Sequence, residues 1–346
     1  MAYSLITKPG LHFNTVLYTG TGSSNSVTGV GFQPDWVWLK KRNSTGNNFL
    51  TDVVRGVTKT IYSDANSAEA TQSQGLTAFG TDGFTVGTNS NINGSSNTNV
   101  AWNWKAGGTG SSNSDGSITS TVSANTTAGF SIVSYTGTGS NATFGHGLGV
   151  APKMVIIKDR SASKDWAVYH ESLGNTKYLE LNTTDGQGTA SNAWNNTSPT
   201  SSVVSIGSRD TLNTSSNNYI AYCFAEKKGY SKFDSYRGNQ NTNGSFIYTG
   251  FKPAWVMIKK QSSGTGRGWF IFDSKRDGYN VDNNALEADT NVAEATNDRI
   301  DLLSNGFKLR TTELILNESG VDYIYMAFAE NPLVANVGQG VPATAR

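Results

Sequence analysis

The chain has 346 residues, with 27 Lys and Arg against 26 Asp and Glu, a net charge of +1, and only 15% of its residues are charged. That balance excludes a surface built to neutralise nucleic-acid phosphates or an anionic membrane, and no apolar run approaches the ~20 residues of a membrane-spanning helix. Polarity comes from Ser, Thr, Asn and 38 Gly, which favour turns and disfavour helix interiors, so an all-β chain is expected.

Residues 1–12, MAYSLITKPGLH, contain no basic segment leading into an apolar one and read as a short arm. FNTVLYTGTG (13–22) is expected to be a strand ending in Tyr-x-Gly. GFQPDWVWLKK (31–41) follows, and alternation puts Trp36 and Trp38 on one face and Val37 and Leu39 on the other. With both faces apolar, it reads as a strand buried between layers rather than a stacking platform for a ligand. DANSAEAT (64–71) has weak helical character, TDGFTVG (81–87) reads as a turn into a strand, and NVAWNWKAGG (99–108) as a strongly apolar closing strand.

The stretch 107–129, GGTGSSNSDGSITSTVSANTTAG, has linker composition but keeps Ile118 and Val122, which leaves room for one extra edge strand. The pattern then recurs. FSIVSYTGTG (130–139), GVAPKMVIIKD (149–159) and YIAYCFAEKKG (219–229) repeat the three landmarks. KFDSYRGNQN (232–241), GFKPAWVMIKK (250–260), DTNVAEAT (289–296), SNGFKLR (304–310) and YIYMAFAENP (323–332) repeat them again. Short apolar runs bounded by Gly, Ser and Asn predict an all-β protein of three tandem β-sandwich, jelly-roll-like repeats, each about 100 residues long. The expected division is an arm (1–12), repeat 1 (13–108), a Gly/Ser-rich linker (109–129), repeat 2 (130–229), repeat 3 (230–332) and a tail (333–346). A turn or two of helix is expected around 285–303 and 64–74. The direct junction EKKGYSKF (226–233) predicts that repeats 2 and 3 form a rigid pair, with repeat 1 free to move on its linker.

Chemistry-bearing groups are sparse. The three histidines are His12, His146 and His170, and His170 aligns with Asp52 and Asp273, which suits a polar strand end better than a repeated reaction. No His/Cys cluster or calcium-loop pattern occurs, so no metal, cofactor or catalytic residue is expected. Cys223, in YIAYCFAE, reads as a buried small hydrophobe. TGTG, SGTGRG and the Asp-Gly pairs read as turns. Trp194, in the polar segment SNAWNNTS, is expected to be exposed, and with Asn192 and Asn195 it is the ligand-contact candidate, since sugar sites pair aromatic faces with amides.

The succession GFQPDWVWLKKR, LTDVVRG, TDGFTVG and NVAWNWKAGG, with GYSKFDSYRGN, TGFKPAWVMIKK, YIYMAFAENP and the terminal GVPATAR, resembles an uncharacterised repeated domain of marine tailed-phage virion proteins. The resemblance covers residues 13–346. It implies a non-enzymatic structural protein of the virion, assembled in the host cytoplasm, of the tail-fibre or adhesin type. Its implied partners are other tail or capsid proteins and a host-surface glycan, with no nucleic acid and no membrane insertion. A capsid decoration protein is the alternative, and a glycan depolymerase a weaker one. A homotrimer, or three copies mimicking one, would match a local threefold axis.

Overall fold

A computed structural model describes residues 4–262, 268–276, 280 and 282–333. The first stretch holds β1 (Phe13–Thr19), β2 (Asn25–Thr28), β3 (Trp36–Lys41), β4 (Phe49–Asp52), β5 (Lys59–Tyr62), β6 (Ala70–Thr71), β7 (Leu76–Gly80), β8 (Gly83–Val86), the one-turn helix α1 (Ser90–Asn93) and β9 (Thr98–Trp104). The second holds β10 (Ser111–Asn113), β11 (Ser120–Asn125), β12 (Phe130–Thr136), β13 (Ala142–Gly145), β14 (Met154–Asp159), β15 (Ala167–His170), β16 (Lys177–Glu180), β17 (Gly188–Thr189), β18 (Val203–Ile206), α2 (Asp210–Asn213) and β19 (Asn218–Phe224). The third holds β20 (Ser231–Arg237), β21 (Phe246–Tyr248), β22 (Phe251–Lys260), β23 (Trp269–Asp273), β24 (Asp282–Glu287), β25 (Ala295–Leu303), β26 (Gly306–Leu309), α3 (Leu314–Asn317) and β27 (Asp322–Pro332).

The protein is all-β, and the same pairing order runs through each stretch. The first strand lies beside the last, and the last beside the strand that follows the Gly-x-x-Pro motif: β1-β9-β3-β4-β5, β12-β19-β14-β15-β16 and β20-β27-β22-β23-β24. A smaller group packs on the outer face of each, β2-β8-β7, β13-β18 and β21-β26-β25. Alternation explains the two layers. Val37 and Leu39 of β3 turn outward onto Val27, Phe84 and Val86, as Val155 and Ile157 of β14 turn onto Phe144, Val204 and Ile206.

The opposite faces of the three large sheets meet one another. Trp36, Trp38, Met154, Ile156, Trp255 and Met257 fall in a single buried cluster. The Trp36 ring stacks on Tyr222 at 4.2 Å, Trp104 meets Trp255 edge-on at 5.6 Å, and Phe224 meets Phe328 at 6.1 Å. All three units therefore face one aromatic centre, where each fully buried large apolar side chain stabilises by roughly 1.5–3 kcal/mol.

The recurring Tyr-x-Gly has a local cause. The hydroxyls of Tyr18, Tyr135 and Tyr236 donate to the carbonyls of Ile92, Leu212 and Leu316 in the one-turn helices, at 2.6, 2.7 and 2.8 Å. Two residues on, a Cβ at Gly20, Gly137 or Gly238 would sit 2.1, 2.3 or 2.3 Å from the carbonyl oxygen of Gly94, Thr214 or Glu318, so only glycine fits. Asn93, Asn213 and Asn317 complete the corner. Each donates from its side-chain amide to two loop carbonyls and accepts from the backbone N–H of Thr21, Thr138 or Asn239.

Several expectations need correction. The segments around 64–74 and 285–303 are extended, ending in β6 and passing through β24 and β25, because their polar groups are used across the fold. Asp64 and Asp289 accept from the backbone N–H of Asn48 and Trp269. The one-turn α-helices among the described residues lie instead at Ser90–Asn93, Asp210–Asn213 and Leu314–Asn317. The linker expected at 109–129 carries two strands, β10 and β11, which extend the large sheet of the second unit beside β12. Nor is the first unit loose, since its tryptophans are buried against both of the others. Most of SGTGRG and all of GVPATAR lie outside the described residues.

Candidate functional site

Trp194 is 1% exposed, against the expectation that it stands free in a polar loop. Its indole N–H donates to the Lys177 carbonyl at 2.9 Å, and its ring meets Tyr169 edge-on at 5.5 Å. It is therefore a core residue of the second unit with no face left for a ligand. Asn192 and Asn195 beside it are exposed, and Asn195 bonds Asn141 at 2.9 Å.

The position shared by Asp52, His170 and Asp273 is completely buried and lies where units meet. Asp52 accepts from the Tyr222 hydroxyl at 2.9 Å, linking the first unit to the second. His170 Nε2 lies 3.2 Å from the Tyr325 carbonyl and donates to it, linking the second to the third. Asp273 accepts from the Trp102 indole at 2.9 Å, linking the third back to the first. The contacts run in a cycle, so the three units close into a ring.

Two further cycles repeat this closure. The backbone N–H groups of Glu69, Gln187 and Glu294 donate to the carbonyls of Arg160, Gln261 and Arg42, at 3.0, 2.8 and 2.8 Å. Running the other way, Asn48, Trp166 and Trp269 donate from their side chains to carbonyls of the preceding unit, Thr290, Tyr62 and Glu180, each at 2.9 Å.

The electrostatics of the three seams differ. Between the first and second units, Arg55 lies between Asp52 and Glu69, and Glu69 is gripped by Arg160 through two bonds of 2.9 and 3.0 Å. Between the third and first, Arg276 lies between Asp273 and Glu294, and Glu294 is gripped by Arg42 at 3.0 and 2.8 Å. Burial opposes the Arg55 cation, but Asp52, Tyr222 and Glu69 outweigh it and hold it charged. Burial likewise opposes ionisation of Glu69, but Arg160 and Arg55 bring its pKa below the ordinary value. At the seam between the second and third units the corresponding residues are His170, Leu173, Gln187 and Gln261, so all four charges are replaced together. Buried ionic sets survive only when every partner is present, and the joint replacement obeys that rule. Sequence reading missed this, although the four coordinated substitutions at aligned positions carried the signal.

Lys40, Lys158 and Lys259 occupy one aligned position, are buried, and are each pushed down by burial to about 8. Lys40 donates across a seam to the Thr290 carbonyl at 2.9 Å, and Lys259 to Thr183 at 3.0 Å. Burial brings His170 to about 4 and raises the Cys223 thiol well above its ordinary value. These groups are spent on packing and seam closure. Among the described residues, no three His, Cys, Asp or Glu side chains are grouped to hold a metal ion.

An accessible cleft of about 440 Å³ lies beside the junction of the second and third units, lined by Glu226, Lys228, Lys232, Tyr248, Thr249 and Gly250 among others. Lys232 pairs with Glu226 at 3.3 Å and with Asp234 at 3.4 Å. Tyr248, on β21, is 57% exposed, and Phe246, two residues earlier on the same face, is 45% exposed. Sequence reading missed these rings too. The alternation in Phe246-Ile247-Tyr248, with Ile247 buried, would have placed both outward.

No curated protein matches the chain. Residues 8–332 match the family described as "Domain of unknown function (DUF7483)". The match runs from the turn before β1 to the end of β27 and so takes in the whole ring; the chain belongs to the DUF7483 family.

Proposed function

We propose that the chain is a non-enzymatic structural protein on the surface of a tailed-phage particle, of the tail-fibre or adhesin type, which presents polar loops and its cleft to the host. The observation that carries this reading is the ring. Three units with one strand order close around a common aromatic centre, giving a rigid body with approximate threefold symmetry in which the aligned Asp52, His170 and Asp273 are spent on closing the seams. Loops held on such a scaffold can vary without disturbing the core. A body of this symmetry fits a threefold site on a particle without needing two further copies of itself. The same symmetry favours a second reading, a decoration protein seated on a threefold position of the capsid.

Immunogold labelling of purified particles with antibody to the chain tests both readings. Gold on tails, together with binding of the purified chain to host cells, supports the adhesin. Gold on capsids without cell binding selects decoration, and unlabelled particles overturn both.

A further inference from the structure

The three outer sheets act as internal controls for one another. In the first, the outward positions of β2 are Ser26 and Thr28, set by the pairs Ser26–Thr85 and Thr28–Gly83. In the second they are Thr143 and Gly145, opposite Ser205 and Val203, and there Gly145 is itself buried beneath Asn113. In the third they are Phe246 and Tyr248, opposite Lys308 and Gly306. Two units thus carry small polar residues or glycine where the third exposes two aromatic rings, 45% and 57% accessible. Nothing in the common fold requires those rings, because the inward residue at each site, Val27, Phe144 or Ile247, already supplies the core contact.

Tyr248 also forms a wall of the cleft. At about 440 Å³ the cleft falls within the roughly 300–1,000 Å³ range of small-molecule sites. Its charged lining is Glu226, Lys228 and Lys232, and Lys232 is paired both with Glu226 and with Asp234, which stands behind the lining. A cationic ligand would have to displace Lys232 from those pairs, and an anionic one would meet only Lys228 outside them. A neutral ligand rich in hydroxyls can donate to Glu226 and accept from Lys228 while leaving them in place. The backbone opens the site at Gly229 and Gly250, both at positive φ (76° and 83°).

We propose that this cleft binds a neutral saccharide, with Tyr248 stacked on the apolar face of a sugar ring and Glu226 and Lys228 bonded to its hydroxyls. The proposal rests on the particle-surface reading above and adds the ligand class and the site. Saturation-transfer NMR on the full chain tests it, with maltohexaose, cellohexaose, laminarihexaose and mannohexaose as probes. At least one is expected to show transfer. Tyr248→Ala should weaken that binding by roughly two- to tenfold, as loss of a stacked ring does, while Tyr248→Trp retains it and Thr28→Ala, the matched position of the first unit, leaves it unchanged. No transfer from any probe overturns the proposal, as does transfer undiminished in Tyr248→Ala, or capture at β21 of an extended Ser/Thr-rich peptide instead of the sugars. Immunogold labelling does not depend on Tyr248, so failure of the cleft and failure of the particle reading are distinguishable.

Discussion

Converting the first seam to the chemistry of the neutral one, with Asp52→His, Arg55→Leu, Glu69→Gln and Arg160→Gln together, is expected to cost far less than the sum of its parts. Arg55→Leu alone strands the Asp52 carboxylate, whose side chain is fully buried, leaving it the Tyr222 hydroxyl and two backbone N–H groups. Breaking a buried ion pair from one side costs about 3–5 kcal/mol. Glu69→Gln removes the two-bond grip of Arg160 and the contact with Arg55. Glu69 and Arg160 keep some exposure, 12% and 21%, so about 2–3 kcal/mol is expected there. With Asp52→His and Arg160→Gln, the four single costs should total on the order of 8 kcal/mol or more, whereas the quadruple variant strands no charge and should lose about 2 kcal/mol or less. Urea unfolding midpoints at pH 7 for the four singles and the quadruple measure this. A quadruple variant destabilised by the sum of the singles would refute the claim that the seams are interchangeable charged and neutral solutions to one contact.

Acid should act at the neutral seam. His170 is held at about 4 by burial, against 6.5 in the unfolded chain, so the unfolded state takes the proton first and stability falls as pH drops from 6.5 towards 4. Its contribution amounts to about 3 kcal/mol at most, and unfolding midpoints of His170→Asn should lack that loss. Lys158, held at about 8 against 10.5 by burial, behaves in the opposite pH range. Its contribution to stability should grow as pH rises from 8 towards 10.5, and the difference between wild type and Lys158→Met, followed by urea unfolding between pH 8 and 10, should show that slope. Gly137→Ala places a methyl 2.3 Å from the Thr214 carbonyl oxygen, and thermal unfolding should show a loss of about 2 kcal/mol or more. A neutral result would mean that the corner yields without strain.

Residue periodicity made strands readable where one or both faces are apolar. GFQPDWVWLKK and its two relatives are buried strands as expected, because the reading needed only alternation and a Pro-flanked start. The octapeptide misled, since its Ala and Glu have helical propensity, while Asp64, Asp289, Glu69 and Glu294 are committed to partners far away in sequence that hold the chain extended. Trp194 failed for a related reason. Its neighbours in sequence are polar, but its cover, Tyr169 and the Lys177 carbonyl, comes from strands 17 to 25 residues earlier.

Local patterning accounts for the β class, the recurring order of strands, the Tyr-x-Gly at the end of each first strand and the burial of both faces of the tryptophan strand. These follow from local steric preference and from a period of two, which local residues set. What those second faces meet is a matter of packing between units. Periodicity reports that a face is buried, not against what, and here each is buried against the other two units. The aligned Asp, His and Asp thereby become seam residues, and the rings left accessible beside a cleft are Phe246 and Tyr248 instead of the tryptophans.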